Sequence, residues 1–264
     1  MLLKALGWPR RRTSDARVHR LPANEHGRDL VIGDLHGHRA TLEAALEALR
    51  FDPSRDRVIS VGDLVDRGPD SRGCLRLLET PWFHAVMGNH EDLLIGAVRQ
   101  LSTEGGTDAR FAVHQNNGGE WLLANWPADA SLTALIERVR QLPHVLVVGN
   151  QEYRYHVVHA GFSKDVTDAD IDVGAPGCSR TLIWQRDLGL ALQRLQAEWG
   201  GQTAPTGLST TYCGHMPAAD CHGLPLRGFG HVNLDTGVSR GQPLTIAVRS
   251  ADGGETIHQQ PLRT

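Results

Sequence analysis

Residues 62 to 68 read GDLVDRG and follow the apolar run Val58-Ile59-Ser60-Val61. Two carboxylates and a guanidinium stand within five positions, between two glycines. A turn alone needs the glycines and at most one aspartate. The same pattern recurs along the chain. Gly33-Asp34-Leu35-His36-Gly37 follows an apolar DLVI, and Gly88-Asn89-His90-Glu91 follows Phe83 to Met87. His159-Ala160-Gly161 follows Tyr155 to Val158, and Gly214-His215 follows Thr210 to Cys213. Each loop puts Asp, Asn or His beside glycine, which lets the backbone turn sharply and a ligand approach closely. Carboxylate and imidazole donors together suit first-row divalent metals such as Mn, Fe or Zn. Asp34 and His36 are two apart, so in extended backbone they point to the same side and make a sensible pair for one ion.

The elements that must position these residues are legible around them. Asp29 to Ile32, Val58 to Val61 and Phe83 to Met87 read as buried strands. Arg39 to Phe51 carries Leu42, Ala45, Leu46 and Leu49 at helical spacing, and Pro53 ends that helix. Pro69-Asp70-Ser71 reads as a second helix start, and Asp92 to Leu101 as a third helix. The alternation predicts an α/β architecture with parallel pairing and a site at the strand C-termini. Gly105 to Leu142 reads as mainly helical, with Trp121 and Trp126 as core anchors and a turn at Asn116 to Gly119. Beyond Pro143, strands are expected at Val145–Val148, Tyr153–Val158, Thr210–Cys213, Val232–Leu234 and Leu244–Val248, the first two joined through Gly149-Asn150. Residues 163–208 read as a looser insert.

Composition narrows the partners. The chain has 264 residues, 40% hydrophobic and 22% charged, with a net charge of −3. That fits one globular domain and gives no support to a nucleic-acid or membrane-surface partner. Four cysteines without CxxC spacing argue against a zinc cage and for free thiols in a reducing compartment, hence a cytoplasmic protein. No segment reaches the ~20 apolar residues of a membrane span. Residues 1–27 read as a flexible basic extension, since the arginines of MLLKALGWPRRR follow the short apolar piece, opposite to a signal peptide. Residues 28–264 are expected to form the single catalytic domain.

GDLHG, GDLVDRG and GNHE, in this order and at these separations, resemble the signature of the metallophosphoesterase superfamily. The DRG ending and the Glu of GNHE resemble its phosphoprotein phosphatase (PPP) branch, nearest to bacterial and phage serine/threonine phosphatases. HAG, IWQR, CGH and NLDTG match the same pattern, over about residues 29–249. The resemblance implies a calcineurin-like fold, a central β-sandwich flanked by helices (α-β-β-α). It implies two divalent ions, Mn2+ foremost, with Asp34 and His36 on the first, Asp63 bridging, and Asn89, His159 and His215 on the second. A metal-bridging hydroxide would attack phosphorus in line. His90 would be the general acid, steadied by Asp66; Arg67, Arg186 and Asn89 would bind the substrate phosphate of a phosphoprotein or phosphopeptide. Glu91 reads as a supporting or helix-start residue, and His114, His156 and His231 as histidines without a ligand role. The sequence departs from many relatives at Met87, where they carry arginine before GNHE; Arg72 or Arg180 could compensate. Two other readings stand beside this one: a nucleotide hydrolase resembling the symmetrical diadenosine tetraphosphatases, and a non-catalytic scaffold of the same fold. Asp66 and Glu91 favour the phosphatase over the first, and the filled ligand positions disfavour the second.

Overall fold

The computed structural model describes residues 14–150, 153–199, 206–218 and 223–263. Two sheets form its centre. The first runs β11-β10-β2-β3-β4, with β2 (Asp29–Ile32), β3 (Arg57–Ser60), β4 (Phe83–Ala85), β10 (Leu244–Arg249) and β11 (Glu255–Gln260). The second runs β1-β5-β6-β7-β9-β8, with β1 (Val18–Leu21), β5 (Val145–Val148), β6 (Tyr155–Val158), β7 (Thr211–Cys213), β8 (Leu226–Gly228) and β9 (His231–Asn233). β2, β3 and β4 are mutually parallel, as are β6, β7 and β9.

Strand alternation builds the layers. Val31 and Ile59 face inward with Leu146, Val148, Val157 and Tyr212 from the other sheet, forming the core between the sheets. Leu30, Ile32 and Val58 point the opposite way, under α1 (Arg39–Ala48), α2 (Ser71–Arg76), α3 (Asn89–Leu101) and α6 (Ala130–Arg140). Val145 and Val147 likewise face outward, toward Leu182, Leu188 and Leu192. Strands buried on both faces read as unbroken apolar runs, which is why DLVI and VLVV were legible. Each fully buried Val or Leu contributes roughly 1.5–3 kcal/mol. The result is the α-β-β-α sandwich that the motifs implied.

Three expectations need correction. β1 falls inside the stretch read as a flexible extension; it pairs in parallel with β5, from Val18 opposite Val145 to Leu21 opposite Val148. The Arg17 guanidinium reinforces this, donating to the Leu142 carbonyl at 2.6 and 3.1 Å. Residues 1–13 and Cys221 lie outside the described residues. The "looser insert" holds three helices: α7 (Asp168–Asp172), α8 (Ser179–Trp184) and α9 (Asp187–Trp199). α3 begins at Asn89, three residues before the expected start. Between α3 and α6 lie α4 (Ala109–Gln115) and α5 (Glu120–Ala124). Among the described residues no helix is long and apolar enough to cross a membrane.

Candidate active site

The C-terminal ends of β2, β3, β4, β6 and β7 deliver their loops to one place. Backbone bonds zip the first two loops together: the N–H groups of Leu35 and His36 donate to the Asp63 carbonyl at 3.0 and 2.8 Å, and Gly37 N–H to Leu64 at 2.8 Å. Glu91 ties in the third. Its carboxylate accepts the N–H groups of Asp63 (2.8 Å), Leu64 (2.8 Å) and Gly88 (3.0 Å). Glu91 therefore supports the loops, as its helix-start position suggested. Gly88 must lack a side chain, since a Cβ there would stand 2.3 Å from Asp63 Oδ1. Gly214 is equally confined: its Cβ would stand 1.9 Å from Asp34 Oδ1.

Strain concentrates here. Of the seven non-glycine residues with left-handed φ among the described residues, five are His36, Asp63, Asp66, Arg67 and His215. Such backbone persists only where the surroundings over-determine it. His36, at φ 42°, is thus not extended; the pairing with Asp34 comes from the turn instead, with His36 Nε2 4.0 Å from Asp34 Oδ2.

Asp63 is the centre of the cluster. One of its oxygens lies 3.4 Å from His159 Nε2 and accepts the His90 backbone N–H at 3.0 Å. The other lies 3.7 Å from His36 Nε2 and 3.9 Å from His90 Nε2. The donor atoms of Asp63, His36 and His90 lie within 4.8 Å of one another, and so do those of Asp63, His159 and His215. The Asn89 amide oxygen is 2.9 Å from His159 Nε2 and 2.7 Å from His215 Nδ1. His36 and His159 each place Nδ1 against a backbone carbonyl, of Val65 (3.0 Å) and Val61 (2.8 Å), which turns the bare Nε2 inward. His215 takes its N–H contact to Asp34 (3.2 Å to each oxygen) and keeps a buried Nε2 with no hydrogen-bond partner.

The electrostatics fit a bound cation. Burial, then the carboxylates of Asp235 and Asp63, push the Asp34 carboxyl well above its usual range. Burial raises Asp235 to about 6. Burial also lowers His36 and His215 to about 3, keeping both imidazoles neutral. Buried acids crowded together, neutral imidazoles with inward nitrogens and an orphaned His215 Nε2 are what divalent ions relieve. The residues present therefore fit a two-metal centre.

Beside it stands a second assembly. His90 Nδ1 is 2.7 Å from Asp66 Oδ2. The other Asp66 oxygen accepts from Trp121 Nε1 at 2.7 Å and contacts His114 Nε2 at 3.1 Å. Burial alone would lower His90, but Asp63 and Asp66 outweigh it and raise its pKa above the ordinary value. His114 and Trp121 escaped the sequence reading: one appeared as an uncommitted histidine, the other as a core anchor. Asp235 sat in the quoted NLDTG without a role.

Arg67 reaches inward, with Nη1 2.7 Å from His36 Nε2, and its N–H bonds to the Gly118 carbonyl at 3.3 Å. Arg67, Arg186, Asn89 and His215 line a cleft of about 460 Å³ over Asp63. Met87 is buried in the helix-side core and lines a different cavity, with Arg180. Arg72 is paired with Asp129 at 2.7 Å. Neither Arg72 nor Arg180 lines the cleft, so neither is placed to compensate for Met87. Arg240 is the further guanidinium there.

Comparison with known proteins agrees with this geometry. Residues 28–225 match the family model described as calcineurin-like phosphoesterase. Serine/threonine-protein phosphatase 1 of Salmonella typhimurium is 33% identical over 222 residues, 82% of this chain and 89% of that protein. The symmetrical bis(5'-nucleosyl)-tetraphosphatase of Actinobacillus succinogenes is 32% identical over 139 residues, 51% of this chain and 44% of that protein. Among solved structures, a protein serine/threonine phosphatase from Saccharomyces cerevisiae shares the fold, with a TM-score of 0.60 at 16% identity over 94% of this chain and 85% of that one. The kinship indicated by GDLHG, GDLVDRG and GNHE is borne out: the chain belongs to the calcineurin-like phosphoesterase family and is a phosphoester hydrolase.

Proposed function

We propose that this chain is a metal-dependent protein phosphatase that hydrolyses phosphoserine and phosphothreonine. The observation that carries the reading is the His90–Asp66 pair, 2.7 Å apart and buried beside Asp63. A serine or threonine alkoxide is a poor leaving group and must take a proton as it departs. A histidine whose Nδ1 is held by a carboxylate keeps Nε2–H available for that donation. Trp121 and His114 hold Asp66 in turn, which fixes the ring's orientation.

Asp34 and His36 would hold one divalent ion, and Asn89, His159 and His215 a second, with Asp63 between them. When bound, such ions polarise the phosphoryl oxygens and make a water acidic enough to attack phosphorus in line. Arg67 and Arg186 orient the phosphate through their planar forks, and the Asn89 amide adds a donor. Mn2+ suits this mixed oxygen and nitrogen set, as do Fe and Zn. The buried free thiols Cys74 and Cys213 support a cytoplasmic location. The filled ligand positions argue against a scaffold.

The half-length kinship to the tetraphosphatase of A. succinogenes supports a second reading, hydrolysis of dinucleoside polyphosphates. Steady-state kinetics with Mn2+ on phosphopeptides and on diadenosine tetraphosphate separate the two. The first reading predicts the higher kcat/KM on phosphopeptides; a strong preference for the dinucleotide overturns it.

A further inference from the structure

The cleft over Asp63 carries three guanidiniums: Arg67, Arg186 and Arg240. Asp63 is the sole acidic residue among its described lining residues, and it is committed to the imidazoles beneath. Arg67 already contacts His36. The side chains of Arg186 and Arg240 make no hydrogen bond or ion pair among the described residues, and both are exposed at the cleft wall. Other exposed arginines, Arg50, Arg76, Arg99, Arg138 and Arg194 among them, are unpaired as well, so what sets Arg186 and Arg240 apart is the cleft they line together.

Arg240 is also held in place by the site itself. It ends a 3₁₀ turn, Val238–Arg240, bounded by Gly237 and Gly241, both left-handed at φ 95° and 85°. The N–H of Gly237 donates to Asp235 Oδ1 at 3.0 Å, and Arg240 N–H to the Gly237 carbonyl at 2.8 Å. Asp235 packs beside Asp34. The turn that carries Arg240 is thus pinned to the metal-binding floor, on a chain segment separate from those that supply Arg67 and Arg186. One phosphoryl group oriented by two arginines leaves the third charge without an assigned anion. The wall also holds the apolar Leu93, Val113, Met216 and Pro217 beside the amides of Asn117 and Gln193, a mixed surface that suits a polypeptide.

We propose that Arg240 is a specificity-determining residue that binds a second anionic group next to the scissile phosphate. The preferred substrates would be phosphoserine or phosphothreonine segments flanked by an acidic or phosphorylated residue. The proposal rests on the protein-phosphatase reading above. A guanidinium placed to pair with carboxylate or phosphate discriminates by charge and by its bidentate geometry.

The test compares kcat/KM on phosphopeptides that differ only in one flanking residue: Glu, phosphoserine, Gln or Lys. The wild-type enzyme should favour the Glu and phosphoserine peptides over the Gln peptide by about tenfold, equal to ~1.4 kcal/mol. A larger factor for phosphoserine than for Glu would identify a neighbouring phosphate as the main source of the anion. In Arg240→Ala the ratio should fall toward one. In Arg240→Glu it should reverse to favour the Lys peptide, an outcome that simple structural damage does not produce. Equal rates on all peptides in the wild type, or a preference that survives Arg240→Ala, would overturn the role of Arg240. Arg240-dependent turnover of diadenosine tetraphosphate, without a flank effect in peptides, would overturn the assignment to polypeptide substrates. If no phosphopeptide is hydrolysed at all, the protein-phosphatase reading itself fails, and this proposal with it.

Discussion

β2 carries a buried aspartate at each end, and the two ends differ. At its start, Asp29 receives a bidentate pair from Arg57 at 2.8 and 2.9 Å and the Tyr155 hydroxyl at 2.6 Å. Arg57 belongs to the same sheet and Tyr155 to the other, so the network joins the sandwich. Just past the strand's other end, Asp34 has two long contacts to one N–H and shares its surroundings with two more acids, Asp63 and Asp235. Burial is nearly equal, with Asp29 4% exposed and Asp34 2%. What differs is compensation. A buried charge matched by protein groups holds the structure together, whereas one left among like charges calls for a ligand.

The largest change is expected at His90. His90→Asn should leave metal content unchanged and lower kcat on alkyl phosphoesters by about 10²–10⁴-fold. With p-nitrophenyl phosphate, whose leaving group needs little proton help, the loss should be much smaller. Equal losses on both substrates would remove His90 from the acid's role. At the start of β2, Asp29→Asn should leave the partly buried Arg57 without its carboxylate and cost about 3–5 kcal/mol of unfolding free energy. Urea denaturation measures this, and metal binding should persist in the fraction that folds. Asp34→Asn should do the opposite. The metal-stripped variant should melt a few degrees higher than the stripped wild type, as about 1 kcal/mol of repulsion does in a domain of this size, and should lose the rise in Tm that metal confers. A lower melting point for the stripped variant would mean that Asp34 is compensated like Asp29. Trp121→Phe, which removes one donor to Asp66, should lower kcat by about fivefold, near 1 kcal/mol, with KM unchanged.

The smallest effect concerns an imidazole that does not line the cleft over Asp63. Burial, then Arg17, lower His144 to about 4. Its neutral ring accepts the Arg17 N–H at 2.9 Å. Its folded pKa lies below the unfolded value near 6.5, so its contribution is present above pH 6.5 and is lost as pH falls toward 4. His144→Gln should therefore flatten the stability–pH slope in that window by at most about 1.4 kcal/mol per pH unit. An unchanged slope would show that His144 titrates normally.

Legibility followed locality. Asp34, Asp63 and Asn89 could be read because each follows a largely buried strand and a glycine, so a few adjacent letters encode strand, turn and donor. His114 and Trp121 could not, since they reach Asp66 from helices 48 and 55 residues away in sequence. Asp235 looked like an ordinary turn residue because its acidic neighbours come from other loops. β1, VHRL, was missed because two of its four residues are exposed at a sheet edge and leave no apolar run. β11, ETIHQQ, is a half-exposed edge strand with the same weakness. Arg72 and Arg180 were plausible substitutes in sequence, but Arg72 is paired with Asp129 and Arg180 lines a different cavity, with Met87.

If Asp63 joins two metal-binding half-sites, the number of ions held per chain depends on it. Purified wild-type protein, stripped with chelator and titrated with Mn2+, should take up two ions per chain and regain activity. Asp63→Asn should bind neither ion tightly and stay inactive. Two ions still held by Asp63→Asn with wild-type affinity would mean that Asp63 does not join the half-sites.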